Sequence, residues 1–129
     1  MPAPERRPRI LVVEDEGLVA LMLEDMLDDL GYEVACSAAS VVQALAWIDG
    51  GGQADLALLD VNLGGESVFP VADALKARGV PFAFSTGYGE AHDPRFREAP
   101  LLGKPILVER LRAVLARLGG GLTAPGPAS

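Results

Sequence analysis

The chain is poor in the residues that most often build soft-metal or redox chemistry: its 129 residues include one cysteine, Cys36, one histidine, His92, and one tryptophan, Trp47. One cysteine excludes an internal disulfide, and one cysteine with one histidine leave no four-ligand zinc site made of Cys and His alone. Cys36 falls in an apolar segment and reads as a small, half-buried, inert thiol. Long apolar runs are missing too. Nothing approaches the roughly 20 residues that cross a bilayer, and the run at residues 10–13 has neither the length nor the cleavage site of a secretory signal. A cytoplasmic protein with no membrane partner is the expectation. Basic residues are also in deficit, with 11 Lys and Arg against 18 Asp and Glu and a formal net charge of −7. Such a surface does not fit a phosphate backbone, which excludes nucleic acid as a direct partner.

What is present suits one globular domain. Half of the residues are hydrophobic and 22% are charged, enough apolar material for a core of ordinary size. Residues 9–13 form a β-branched apolar run that stops at Glu14, Asp15 and Glu16, the pattern of a buried strand ending at a polar edge. From Leu18 onward, Val19, Met22, Leu23, Met26 and Leu30 follow helical spacing. Glu24, Asp25, Asp28 and Asp29 are assigned to the outer face, and Gly31 to the stop. The unit then recurs: a strand over 33–38, a helix over 40–48 capped by Ser40, and a glycine break at 50–52. A nearly continuous apolar strand over 55–60 ends in Asp60. A loop holding Asn62, Gly64 and Gly65 leads to a helix over 70–77 with Val71, Ala74 and Leu75 inward and Gly79 as its stop.

A fourth strand is predicted over 80–84, followed by Ser85, Thr86 and a polar stretch, 87–99, with little helical periodicity. A short strand over 100–102 precedes Gly103, Lys104 and Pro105. The last helix carries Val108, Leu111, Leu115 and Leu118 on one stripe. Trp47 and the phenylalanines read as packing residues. The fold class expected is α/β: a doubly wound, five-stranded parallel sheet of flavodoxin-like order 2-1-3-4-5, flanked by helices. Residues 1–8 are an N-terminal extension, 9–118 the domain, and 119–129, rich in Gly, Pro, Ala and Ser, a flexible tail.

Open sheets of this kind bind ligands beyond the carboxyl ends of their strands. Those ends carry Glu14 and Asp15, then Asp60, then Thr86, then Lys104. Clustered carboxylates repel and favour a hard divalent cation, and Mg²⁺ prefers oxygen donors. A carboxylate can attack phosphorus to give an acyl phosphate, while a cation, a hydroxyl and backbone N–H groups stabilise the oxygens.

Four strings at four successive strand ends, RILVVEDE at 9–16, LALLDVNL at 56–63, FSTGYG at 84–89 and GKP at 103–105, resemble the receiver domain of response regulators. The resemblance covers almost the whole chain. It implies that Asp60 is the phosphoacceptor and that Glu14, Asp15, Asp60 and the backbone carbonyl of Asn62 hold Mg²⁺ (or Mn²⁺). Thr86 would offer its hydroxyl and Lys104 its charge to the phosphoryl group, with a cis bond between Lys104 and Pro105. The partners implied are a histidine kinase or histidine phosphotransfer protein and a downstream protein, the chain itself being a monomer or weak dimer and not an enzyme.

PFAFSTGYG at 81–89 is similar to the subgroup named FAT GUY, with Ser85 in place of its Ala. Ordinary receivers carry a switching aromatic three residues before the lysine; here that position is Leu101, and the resemblance implies that the loop and fourth-helix region after Thr86 carries the change. Tyr88 is assigned a secondary part at the site or at a partner surface, and His92 a place in solvent. Glu16 is assigned to solvent or to the helix N-terminus.

Three other readings fit parts of the pattern. A Mg²⁺-dependent phosphohydrolase with Asp60 as nucleophile commonly needs a second Asp two positions on, where this chain has Asn62. A receiver that only scaffolds would not need the full set of polar residues. A receiver fragment of a hybrid histidine kinase remains compatible with the tail.

Overall fold

A computed structural model describes residues 7–87 and 94–119. Five parallel strands form the sheet: β1 (Arg9–Val13), β2 (Glu33–Ala38), β3 (Leu56–Asp60), β6 (Phe82–Thr86) and β7 (Leu101–Gly103). Their order is β2-β1-β3-β6-β7, the predicted order with the sheet strands counted alone. The helices are α1 (Gly17–Asp29), α2 (Val41–Asp49), α3 (Phe69–Ala77) and α4 (Val108–Leu118). A two-residue-per-strand hairpin, β4 (Asn62–Leu63) and β5 (Glu66–Ser67), stands where the sequence suggested only a loop.

Alternate residues along each strand face opposite sides of a sheet, and here both sides are covered. Leu11, Val13, Ala57, Leu59, Phe82 and Phe84 pack with α2 and α3, while Ile10, Val12, Leu56, Leu58, Ala83 and Leu102 pack with α1 and α4. That double burial explains strands without polar alternation. All four phenylalanines, Phe69, Phe82, Phe84 and Phe96, join one aromatic cluster, with Phe82 and Phe84 edge to face at 5.4 Å between centroids. Trp47 is half-buried on the same side. The packing roles expected of these rings hold, as does the half-buried position of Cys36.

Several boundaries and faces differ from expectation. The fourth sheet strand begins at Phe82 rather than residue 80. Val80 N–H is spent on the Leu75 carbonyl (3.0 Å) and Gly79 N–H on the Lys76 carbonyl (3.1 Å). This is the paired capping motif that ends a helix on a glycine of positive φ, here +72°. Pro81 then has no N–H to give. Strand β7 is likewise displaced by one residue.

On α1 the buried residues are Ala20, Leu23 and Leu27, whereas Met22, assigned to the inner face from its spacing, is 53% exposed. Leu18 and Leu21 are exposed beside it, so α1 is apolar on two faces and the sheet covers only one. Val108 is also outside, and α4 buries Leu111, Val114 and Leu115. Within the stretch 87–99, the described residues contain one 3-10 turn, Pro94–Phe96. No described helix is long and apolar enough to cross a membrane.

Candidate functional site

The chain runs from β1 to β2 on one side of β1 and then returns to place β3 on the other. The order therefore reverses between β1 and β3, which opens a crevice at their carboxyl ends. Glu14 follows β1 directly and Asp60 is the last residue of β3. Both are 2% exposed. Asp15, next in the chain, is exposed, yet one carboxylate oxygen from each of Glu14, Asp15 and Asp60 falls within 4.8 Å of the others. Lys104 reaches in from the end of β7. Its Nζ donates to Asp60 Oδ2 at 2.9 Å and lies 3.4 Å from Glu14 Oε1. The peptide bond between Lys104 and Pro105 is cis.

The remaining polar contacts come from the backbone. Asn62 N–H donates to Asp60 Oδ1 at 3.2 Å, and Glu16 N–H donates to Glu14 Oε2 at 3.1 Å. Glu16 thus contributes its main chain, and its side chain makes no cap bond to α1. Glu14 Oε1 is buried and accepts no hydrogen bond; the Lys104 ammonium is near enough to attract it but not aligned to donate.

Two buried carboxylates thus face one ammonium. Burial is the main cause that pushes the Glu14 carboxyl up to about 7, and the negative charge of Asp60 adds to it. The Glu16 N–H and the Lys104 charge oppose the shift without cancelling it. Burial by itself would lower Lys104, but its hydrogen bond to Asp60 and the charges of Asp60 and Glu14 outweigh that and hold it above its ordinary value. The amine is a fixed cation at neutral pH.

Thr86 ends β6. Its carbonyl accepts from Lys104 N–H at 3.0 Å, which ties the two strand ends together. Its hydroxyl donates to the Gly87 carbonyl at 3.1 Å, so it is turned along its own loop. Ser85, noted in the sequence only as a departure from a motif, is 1% exposed and stands in register with Asp60 across β3 and β6. The β4–β5 hairpin is the other feature that escaped sequence reasoning; its signal was the Gly64-Gly65 pair between short polar and apolar residues. Tyr88 and His92 lie outside the described residues, as does most of the loop after Thr86. Leu101 is 39% exposed on β7. A cavity of about 980 Å³ bordered by Lys76, Phe82, Phe96 and Leu118 shares no residue with the carboxylates, and it reaches β6 at the end opposite Thr86.

The donor set suits a hard cation. It is all oxygen, it holds more negative than positive charge, and it includes a buried carboxylate oxygen without a hydrogen bond.

A family model described as the response regulator receiver domain matches residues 10–115. The solution structure of SdrG from Sphingomonas melonis is similar at 45% identity, with a TM-score of 0.79 over 89% of this chain and 98% of that one. The BeF3-activated conformation of SdrG, from Pseudomonas melonis, is similar at 46% identity and a TM-score of 0.73, over 85% of this chain and 94% of that one. The phyllosphere-induced regulator PhyR of Methylorubrum extorquens is 31% identical over 123 residues, 89% of this chain and 45% of PhyR. The chain thus spans less than half the length of that regulator.

Proposed function

The chain belongs to the response regulator receiver domain family of two-component signalling, and from that premise we propose that it accepts a phosphoryl group on Asp60 from a phosphohistidine of a histidine kinase or phosphotransfer protein. One observation carries the reading: a buried strand-end carboxylate is held 2.9 Å from an ammonium, with two further carboxylates alongside it. A relative in a BeF3-activated conformation supports it.

In the proposed reaction an Asp60 carboxylate oxygen attacks phosphorus. The O–P bond forms as the P–N bond breaks, and the departing imidazole retains its electron pair and takes up a proton. Glu14, Asp15, Asp60 and the Asn62 carbonyl would hold Mg²⁺ or Mn²⁺, which supplies charge neutralisation for the transferring oxygens. Lys104, already fixed beside Asp60, pairs with the phosphoryl oxygens. The Thr86 hydroxyl must leave the Gly87 carbonyl to reach them, and that exchange of partners is a local change coupled to the loop after β6. With Leu101 at the usual aromatic position, the proposed output runs through that loop and not through a ring on β7.

Exposed apolar residues flank the site on two chain segments. Leu18, Leu21 and Met22 share one face at the start of α1, a few residues after Asp15, and Leu107 and Val108 follow Lys104. Scattered exposed apolar residues need no explanation, but a group beside a reactive carboxylate suits a protein donor. The same proposal places the protein in the cytoplasm and assigns its output to protein contact, not to turnover of a substrate.

The test is incubation with acetyl phosphate and Mg²⁺ followed by intact mass. The expected product carries one alkali-labile, hydroxylamine-labile phosphoryl group per chain and is absent from Asp60→Ala. Sustained hydrolysis of small phosphomonoesters would instead identify a phosphohydrolase. Failure of both acetyl phosphate and beryllofluoride to perturb the wild-type chain would identify a scaffold.

A further inference from the structure

The hairpin beside Asp60 is built on two consecutive glycines of positive φ, Gly64 at +61° and Gly65 at +92°, joining β4 to β5. Positive φ at both central residues is the geometry of the tight turn that matches strand twist. One side chain closes it: Asn62 Oδ1 accepts from Gly65 N–H at 2.7 Å. The same residue donates its own N–H to Asp60 Oδ1 at 3.2 Å. At the turn, a Cβ placed on Gly64 would stand 3.4 Å from Asp15 Oδ2, so the hairpin backbone packs against the acidic cluster at that point. Beneath the hairpin, Val61, Leu63 and Val68 are buried, which roots its base in the core.

We propose that Asn62 is a positioning residue for phosphoryl transfer, acting through its side chain on the hairpin turn and thereby through its backbone on Asp60. This rests on the reading of Asp60 as phosphoacceptor. The carboxamide is engaged with Gly65 and points into the turn; its effect on the reaction is to keep the Asn62 N–H on Asp60 Oδ1, leaving Oδ2 to Lys104. With that bond lost, the hairpin is held by its buried base and its strand pairing while the turn itself is released, and the aspartate loses part of its fixed orientation. Near-attack geometry is sensitive to small displacements of this kind.

The experiment compares wild type, Asn62→Leu and Asn62→Ser in the full chain. Ser retains a neutral acceptor oxygen for the turn N–H and adds no charge to the acidic site, whereas Leu has no acceptor. Two quantities are read: the rate of Asp60 labelling by acetyl phosphate in Mg²⁺, and the hydrogen-exchange rate of the Gly65 amide in EDTA without any phosphodonor. The position is exposed, so both variants should fold, as circular dichroism would verify. Asn62→Leu should label about 5-fold more slowly, the worth of one ordinary hydrogen bond, with Gly65 exchange accelerated in step. Asn62→Ser should restore both, less completely because a hydroxyl closes such a turn more weakly than a carboxamide. Labelling of Asn62→Leu at the wild-type rate would overturn the proposal, and so would slow labelling with an unchanged Gly65 amide, which would mean direct contact with the phosphoryl group. No label on the wild-type chain would sink the phosphoacceptor reading itself, and the inference with it.

Discussion

Raising the pH should destabilise the metal-free protein through one residue, Glu14. Its carboxyl is pushed up from 4.5 to about 7, chiefly by burial, with the Asp60 charge adding to it. Between those values the folded chain keeps a proton on Glu14 that the unfolded chain releases, so folding becomes less favourable as pH climbs. Below about 4.5 the group is protonated in both states and costs nothing; above about 7 it is charged in both, and the whole penalty is present. At roughly 1.4 kcal/mol per pH unit, the interval corresponds to about 3 kcal/mol, a large fraction of a typical domain's stability. Lys104 stays charged across this window, because its own value lies above 10.5, so it does not confuse the result.

The assay is urea unfolding in EDTA from pH 4.5 to 8, wild type against Glu14→Gln. Other titrating groups are shared by the two proteins and largely cancel in the difference. The variant should gain on the wild type by about 3 kcal/mol across the window, and Mg²⁺ should stabilise the wild type more at pH 8 than at pH 5, where protons compete for the carboxylate. A difference that stays flat from pH 4.5 to 8 would refute the assignment of Glu14 as a buried, proton-holding carboxyl.

Four further outcomes are expected. Asp60→Asn should abolish acetyl phosphate labelling and raise the melting temperature in EDTA at pH 8 by a few degrees, since one ammonium would then face one carboxylate; a lower melting temperature would contradict this. Lys104→Met should destabilise the metal-free chain toward the lower end of the ~3–5 kcal/mol cost of stripping a buried pair, because the lysine is itself a quarter exposed; Mg²⁺ should return part of that in thermal melts. Gly52→Ala should cost about 1–3 kcal/mol in urea unfolding, because its Cβ would fall 2.3 Å from the Trp47 ring. Phe84→Ala, which removes a ring touching Phe69, Phe82 and Phe96, should cost about 3–5 kcal/mol by the same measurement.

Much of this molecule is carried by short-range pattern. Apolar runs of strand length, helical spacing between them and glycines at helix ends name the α/β class and the order of elements. Glu14, Asp15, Asp60, Thr86 and Lys104 each sit where an apolar run stops, and a parallel sheet brings all such stops to one edge. The cluster was therefore legible before its distances were. What local pattern could not decide is which of two equivalent choices the whole fold enforces. Helix α1 has apolar residues on two faces, and only packing against the sheet determines that Leu23 and Leu27 go in while Leu18 and Met22 stay out.

The start of β6 depended on competing demands for the Val80 N–H, and the cap of α3 takes it. The side-chain bond from Asn62 to Gly65 appears only once the turn has closed. Above all, the sequence by itself determined that a carboxylate follows β1, while the tertiary structure decided that Glu14 is sealed from water between Lys104 and Asp60 and so keeps its proton to about 7. Residue type is written in the chain, but desolvation is a property of everything packed around it.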